Sequence, residues 1–222
     1  MLDIQDMKYT VASQALQVQS TTNISMVDLI TLIQPMIVRI DAPNPNALVS
    51  GSGVIIRSDG YIITNDHVID SATSITVTLS NGRQYHATVT AADADLDLAI
   101  LQLGGNPGVL PSALMGTTAD IIVGGVVVAG GFPLGGALPG PASFTQGIVS
   151  AVRTVGGKRY IQSDVTINPG NSGGALVSRS NGRLIGITSA GIVENMQQGD
   201  IEGIGLAIPI DVIQGFIQAN LK

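Results

Sequence analysis

Ser172 stands between glycines in Gly170-Asn171-Ser172-Gly173-Gly174. A hydroxyl in that setting is a nucleophile beside backbone N–H groups that can bind an oxyanion. It is weak at neutral pH, so it needs a base to take its proton and an acceptor to orient that base. His67 lies upstream in Thr64-Asn65-Asp66-His67-Val68, and Asp97 lies between the two in Asp95-Leu96-Asp97-Leu98-Ala99-Ile100-Leu101. The chain order is His, Asp, Ser. Serine hydrolysis recurs on unrelated folds with different orders of these residues. An α/β-hydrolase triad needs a histidine after the serine, and the only histidines, His67 and His86, both precede it. A subtilisin-like order would draw on Asp41 or Asp59 and on long helices alternating with parallel strands, and no such alternation is present. The order that remains is the trypsin-like one, on an all-β scaffold.

On spacing alone Asp93 and Asp95 compete with Asp97 for the orienting role. Asp93-x-Asp95-x-Asp97 also opens like a calcium loop, but Leu98 stands where the turn glycine belongs and Gly104 where the bidentate glutamate belongs. We therefore expect no metal and no cofactor. His86 sits in an alternating stretch without a motif and reads as structural.

Composition narrows the partners. The formal charge of −6 and the scattering of only ten Lys and Arg argue against nucleic acid, which demands clustered cations. There is no cysteine, so neither disulfides nor thiolate metal sites contribute. Residues 121–152 carry no charge, yet Gly124, Gly125, Gly130, Gly131 and Pro133 break any helix there, so buried strands and not a transmembrane segment are expected. The first seven residues are acidic where a signal peptide would be basic, which reads as an intracellular or already processed form.

The elements that must position the three residues follow from periodicity. Ser25 is placed to cap a helix through Met26, Leu29, Ile30 and Ile33 that Pro35 stops. Strand patterns follow over residues 36–40, 52–57, 61–64, 74–79, 83–91 and 98–103, with Asn81-Gly82 as a hairpin turn. After a Gly- and Pro-rich connector a second set covers residues 122–129, 144–152, 160–163, 175–178, 184–189 and 203–207. Two groups of about six strands fit two antiparallel six-stranded β-barrels better than one sheet. A helix capped by Asp211 and running to Leu221 closes the chain.

These motifs together resemble the HtrA/Deg family of trypsin-like serine proteases. The resemblance runs through Gly51-Ser52-Gly53-Val54, Thr64-Asn65-Asp66-His67-Val68, Asp97-Leu98-Ala99-Ile100-Leu101, Gly131-Phe132-Pro133-Leu134-Gly135, Thr145-Gln146-Gly147 and Asn168-Pro169-Gly170-Asn171-Ser172-Gly173-Gly174-Ala175-Leu176, in the family's order. The Asp-Leu-Ala match selects Asp97 among the three aspartates. Residues 1–24, polar and rich in Gln, Ser and Thr, read as an N-terminal arm without a core of its own. The resemblance, which runs over about residues 26–221, implies a protease domain over residues 25–222. That domain divides into a first barrel (25–103), a connector (104–118), a second barrel (119–208) and a terminal helix (209–222). Catalysis is expected from His67, Asp97 and Ser172, with an oxyanion hole from the N–H groups of Gly170 and Ser172. Thr166, Ile167 and Leu206 are expected at the primary substrate pocket, and Ser189, Ala190 and Gly191 along the edge that pairs with substrate backbone. No carboxylate appears among them, so cleavage after small to medium aliphatic residues is expected.

The implied activity is ATP-independent degradation of unfolded or damaged polypeptides. The rival is a non-catalytic holdase scaffold with an inactive oxyanion loop. Asn171 stands where digestive relatives carry an aspartate that pairs with a freshly cut N-terminus, which argues against activation by such a cut. Family members usually continue into PDZ domains, and this chain stops at Lys222. The resemblance further implies an extracytoplasmic setting and a homotrimer assembled through the N-terminal segment.

Overall fold

The computed structural model describes residues 24–45, 47–135, 138–190 and 204–221. Most of the expected N-terminal arm, together with Gly191 and Gly203, lies outside them.

The first described element is helix α1, Met26–Ile33. Ser25 Oγ accepts the Asp28 N–H at 3.0 Å, satisfying one of the donors a helix start leaves open. Pro35 removes the next N–H, so the chain tightens into a 3-10 turn, Gln34–Met36, and then extends.

Six strands follow: β1 Ile37–Pro43, β2 Leu48–Arg57, β3 Tyr61–Thr64, β4 Thr76–Thr78, β5 Gln84–Asp93 and β6 Leu98–Leu103. Six more come after the connector: β7 Val126–Gly131, β8 Ser143–Val155, β9 Lys158–Ser163, β10 Ala175–Ser178, β11 Leu184–Thr188 and β12 Gly205–Pro209. Every pairing is antiparallel. The strands close into two barrels, one in the order β1-β2-β3-β6-β5-β4 and one in the order β7-β8-β9-β12-β11-β10. The all-β architecture of two six-stranded barrels expected from the sequence is the one observed, and both barrels use the same order of strands.

Several boundaries differ from the periodic reading for local reasons. β7 begins at Val126, not at Ile122, because Gly124 takes φ 82° and the Gly125 N–H closes a turn on Ile122 O at 2.8 Å. At the β4–β5 hairpin Gly82, at φ 81°, follows a turn that its own N–H closes on Leu79 O, so the loop is one residue longer than an Asn-Gly pair demands. The terminal helix α3, Ile210–Asn220, is preceded by Pro209 as its cap residue. Asp211 sits inside its first turn, where Oδ2 accepts from Arg159 Nη1 at 2.6 Å.

Strand alternation divides the core in three. Val38, Ile40, Ile55, Ile62 and Leu101 fill the first barrel. Val127, Val149, Ile161, Leu176 and Ile185 fill the second. The intervening residues face the other way into one cluster. Ile37, Val54, Ile63, Leu98 and Ile100 of the first barrel meet Val128, Ala175, Val177, Ile187 and Ile208 of the second, sealed by Leu29 and Ile33 of α1 and Ile213 and Phe216 of α3. Strands buried on both faces lose the polar alternation of a half-exposed sheet, which is why β10, β11 and β12 read as continuous apolar runs. The connector is stitched to both barrels: Ala113 N–H donates to Ile55 O at 2.8 Å, and Leu184 N–H donates to Leu114 O at 2.8 Å.

No helix among the described residues is long and apolar enough to cross a membrane.

Candidate active site

Three elements from two barrels converge at the seam. His67 rides on a single helical turn, α2, Asp66–Ile69, which the strand reading did not anticipate. Asn65, fully buried at the mouth of that turn, donates its side-chain amide to Asp97 O at 2.8 Å. Asp97 sits in the β5–β6 turn at φ 54°, a left-handed conformation that aspartate tolerates better than most residues. Its carboxylate faces the imidazole squarely. Oδ1 lies 2.9 Å and Oδ2 3.0 Å from His67 Nδ1, and Oδ1 also accepts the His67 backbone N–H at 3.1 Å. With Nδ1 carrying the proton toward Asp97, Nε2 is left as the basic nitrogen. Ser189 Oγ, behind the carboxylate, donates to Asp97 Oδ2 at 3.0 Å.

The three aspartates that compete on spacing go separate ways. Asp93 Oδ1 takes the Leu96 N–H at 2.9 Å, Asp95 pairs with Lys158 of the β8–β9 hairpin, and only Asp97 reaches the histidine. His86 lies exposed on β5, opposite Thr76.

Ser172 occupies the turn before β10 and is 5% exposed. Its Oγ accepts the Ala190 N–H at 3.0 Å, and among the described residues no hydrogen bond joins it to His67. Glycine is required on both sides of it. Gly173 has φ 83°, and a Cβ there would overlap Ser52 O and Thr64 Oγ1; Gly170 has φ 95°, and a Cβ there would overlap Phe132 O.

The carbonyls of this turn are tied down in a way that fixes its N–H groups. Pro169 O accepts from the Leu134 N–H at 2.8 Å. Asn171 O accepts from the Gly174 N–H at 2.9 Å and from Thr188 Oγ1 at 2.8 Å. In a trans peptide the N–H points opposite its carbonyl, so the Gly170 and Ser172 N–H groups face away from these ties. Neither has a protein acceptor among the described residues. Two unengaged donors beside a hydroxyl can bind a developing negative charge.

The residues expected around the substrate are distributed as follows. Ile167 packs toward Gly205 at the start of β12, and Leu206 is the next residue along that strand. Thr166 is exposed, and it lines, with Ile167, Asn168 and Asn171, a cavity of about 50 Å³ on the β7–β8 side of the turn. Leu206 is 5% exposed, and its carbonyl takes the Ser189 N–H at 3.0 Å. The Ser189 side chain is therefore engaged with Asp97 and its N–H with β12. Ala190 is half-buried and donates to Ser172, and Gly191 lies outside the described residues. Asn65, Leu134 and Thr188 take part in the site without having been singled out from the sequence; Asn65 and Leu134 each stood in a quoted motif, and Thr188 had no such signal.

Residues 51–187 match the family described as trypsin-like peptidase domain. The chain is 40% identical over 185 residues to the serine protease Do-like HtrA of Bacillus subtilis, covering 78% of this chain and 39% of that one. It is 42% identical over 170 residues to the periplasmic serine endoprotease DegP of Escherichia coli K12, covering 74% of this chain and 34% of that one. The chain belongs to the HtrA/Deg family of trypsin-like peptidases. A crystal structure of the serine endoprotease from Yersinia pestis superposes on this HtrA-type fold with a TM-score of 0.74 at 32% identity, covering 91% of this chain and 67% of that one. This HtrA-type chain thus spans half or less of the length of the curated relatives it matches.

Proposed function

We propose that this chain is a serine endopeptidase in which Ser172 is the nucleophile, His67 the general base and acid, and Asp97 the group that orients and stabilises the imidazolium. The observation that carries the reading is the two-oxygen contact of Asp97 with His67 Nδ1, which leaves Nε2 free to take a proton. Attack by Ser172 Oγ on a peptide carbonyl passes its proton to Nε2 and places negative charge on the carbonyl oxygen, which the Gly170 and Ser172 N–H groups receive. Nε2 then gives the proton to the departing amine, and water repeats the cycle on the acyl-enzyme.

The substrate reading is finer. Ile167 and Leu206, both aliphatic, suit small to medium aliphatic side chains, and Thr166, Ala190 and Gly191 would flank the bound segment. Ser189 contributes through its carbonyl and through Asp97. The relatives named as periplasmic serine endoproteases favour an extracytoplasmic role; action on unfolded or damaged polypeptides, without ATP and in a homotrimer, is the part of the reading that rests on the family resemblance alone.

A second reading has one observation in its favour: Ser172 Oγ is held by Ala190 and not by His67. In that reading the resting protein is a holdase scaffold and the nucleophile is uncoupled from its base. Incubation with an unfolded protein such as β-casein, beside Ser172→Ala, decides between them. Fragments lost in the variant establish the peptidase and show the residues preferred at the cut. Binding without fragments, and no reaction with a fluorophosphonate, leaves the scaffold.

A further inference from the structure

Ser52 lies on β2 in the first barrel and is fully buried, yet two of its polar groups, the N–H and the hydroxyl, reach across the seam. Its N–H donates to Ser172 O at 2.8 Å. Its hydroxyl donates to Gly170 O at 2.7 Å and accepts the Phe132 N–H at 2.9 Å. Its carbonyl takes the Thr64 hydroxyl at 2.7 Å, one residue from Asn65, which holds the Asp97 carbonyl.

The hydroxyl contact matters because of which peptide it holds. The donors proposed for the oxyanion are the N–H groups of the 169–170 and 171–172 peptides. Between them lies the 170–171 peptide, whose carbonyl rests on Ser52 Oγ and whose N–H points the other way, to Asn168 O at 2.9 Å. Rotating that middle peptide would turn both neighbours, because they share its Cα atoms. The outer peptides are anchored by groups of the second barrel, Leu134 and Thr188 among them. The middle one is anchored by a side chain of the first barrel, which also carries His67.

We propose that Ser52 is a positioning residue for the oxyanion donors, setting their mutual angle from the opposite barrel and so locking the nucleophile turn to the barrel that supplies the base. This rests on the serine-peptidase reading above. Removing the hydroxyl leaves Gly170 O and the Phe132 N–H buried without their partner, and the middle peptide loses the contact that fixes its direction.

The test compares wild type, Ser52→Ala and Ser52→Cys, each verified as folded by circular dichroism at the assay temperature. Inactivation by a fluorophosphonate and hydrolysis of a peptide ester are then measured per folded molecule. The expected result for Ser52→Ala is a drop of about 10-fold to 100-fold in both kcat and inactivation rate, somewhat below the loss of a whole oxyanion donor. KM should stay within about 2-fold, and the acid limb of the pH profile, which reports His67 paired with Asp97, should not move. Ser52→Cys, whose thiol is a weaker donor and acceptor, should fall between the two. A residue that only stabilises the fold would lower the melting temperature and leave these rates alone. Wild-type rates in folded Ser52→Ala, beside a reactive wild type, would overturn the role of Ser52 and leave the peptidase intact. An unreactive wild type would overturn the peptidase reading and this inference together. Should Ser52→Ala fail to fold, the rates of Ser52→Cys decide by the same criterion.

Discussion

At the scale of residues, the site is a set of hydrogen bonds whose directions follow from who can donate. Asp97 can only accept, and it is supplied by the His67 imidazole, the His67 backbone and the Ser189 hydroxyl. Replacing Ser172 by Ala is expected to lower kcat on the order of 10⁶-fold, checked by initial rates on a peptide ester with titrated enzyme. Asp97→Asn keeps the left-handed backbone conformation, which asparagine also accepts, but offers Nδ1 a side chain compatible with the wrong tautomer; a drop of about 10⁴ in kcat is expected. Ser189→Ala removes one neutral donor from a charged acceptor. That bond is worth roughly 1.5–3 kcal/mol, so a fall of about 10-fold to 100-fold in kcat at constant KM is expected, and a KM effect with kcat unchanged would assign Ser189 to substrate binding alone. The histidine, aspartate and serine of the proposed triad could be nominated from the sequence because each sits in a motif of its own neighbours. The Ser189 contact was not: it joins residues 92 apart through a bond that exists only once both barrels have closed.

At the scale of elements, glycines and caps decide where strands stop and turns begin. Gly173→Ala combines a φ of 83° with overlap onto Ser52 O and Thr64 Oγ1, and is expected to unseat the nucleophile turn, abolishing fluorophosphonate labelling. Ahead of β7, Asp120 closes a capping box. Burial pushes its carboxyl up, but the Thr117 N–H, the Asn181 amide, the Thr117 hydroxyl and nearby Arg183 outweigh that and hold it below the usual carboxylate range. The folded chain then releases this proton more readily than the unfolded one. The stability gained is in place above the unfolded carboxylate value of about 3.9 and is lost as pH falls through the lower folded value. Asp120→Asn should lower the melting temperature at pH 7, with the difference from wild type shrinking toward strong acid; a pH-independent difference would remove the ionic contribution. The sequence showed this region as strand from Ile122, because apolar residues continue through a turn that Gly124 and Gly125 impose, and periodicity does not register backbone sign. Twelve strands and two flanking helices were otherwise recoverable, since turn residues punctuate nearly every boundary.

At the scale of the whole molecule, the two barrels share one order of strands without a sequence repeat that reveals it, because many apolar choices satisfy the same topology. They also share the seam cluster, to which each contributes one face of its strands. A single cooperative melting transition is expected by calorimetry, with the ratio of calorimetric to van't Hoff enthalpy near one; two resolved transitions would mean that the barrels hold separately. The trimer reading is checked by light scattering of the full chain, where a monomer mass removes it. The seam has a further consequence for anyone cutting the chain. Severed within the connector near residue 105, each piece would expose its half of the seam and be insoluble or molten alone. Mixed together, the pieces should find each other through that same face, with His67 and Asp97 arriving on one and Ser172 on the other. The protein is in that sense a built-in complementation pair, whose hydrolytic signal would report the meeting of any two partners fused to its halves.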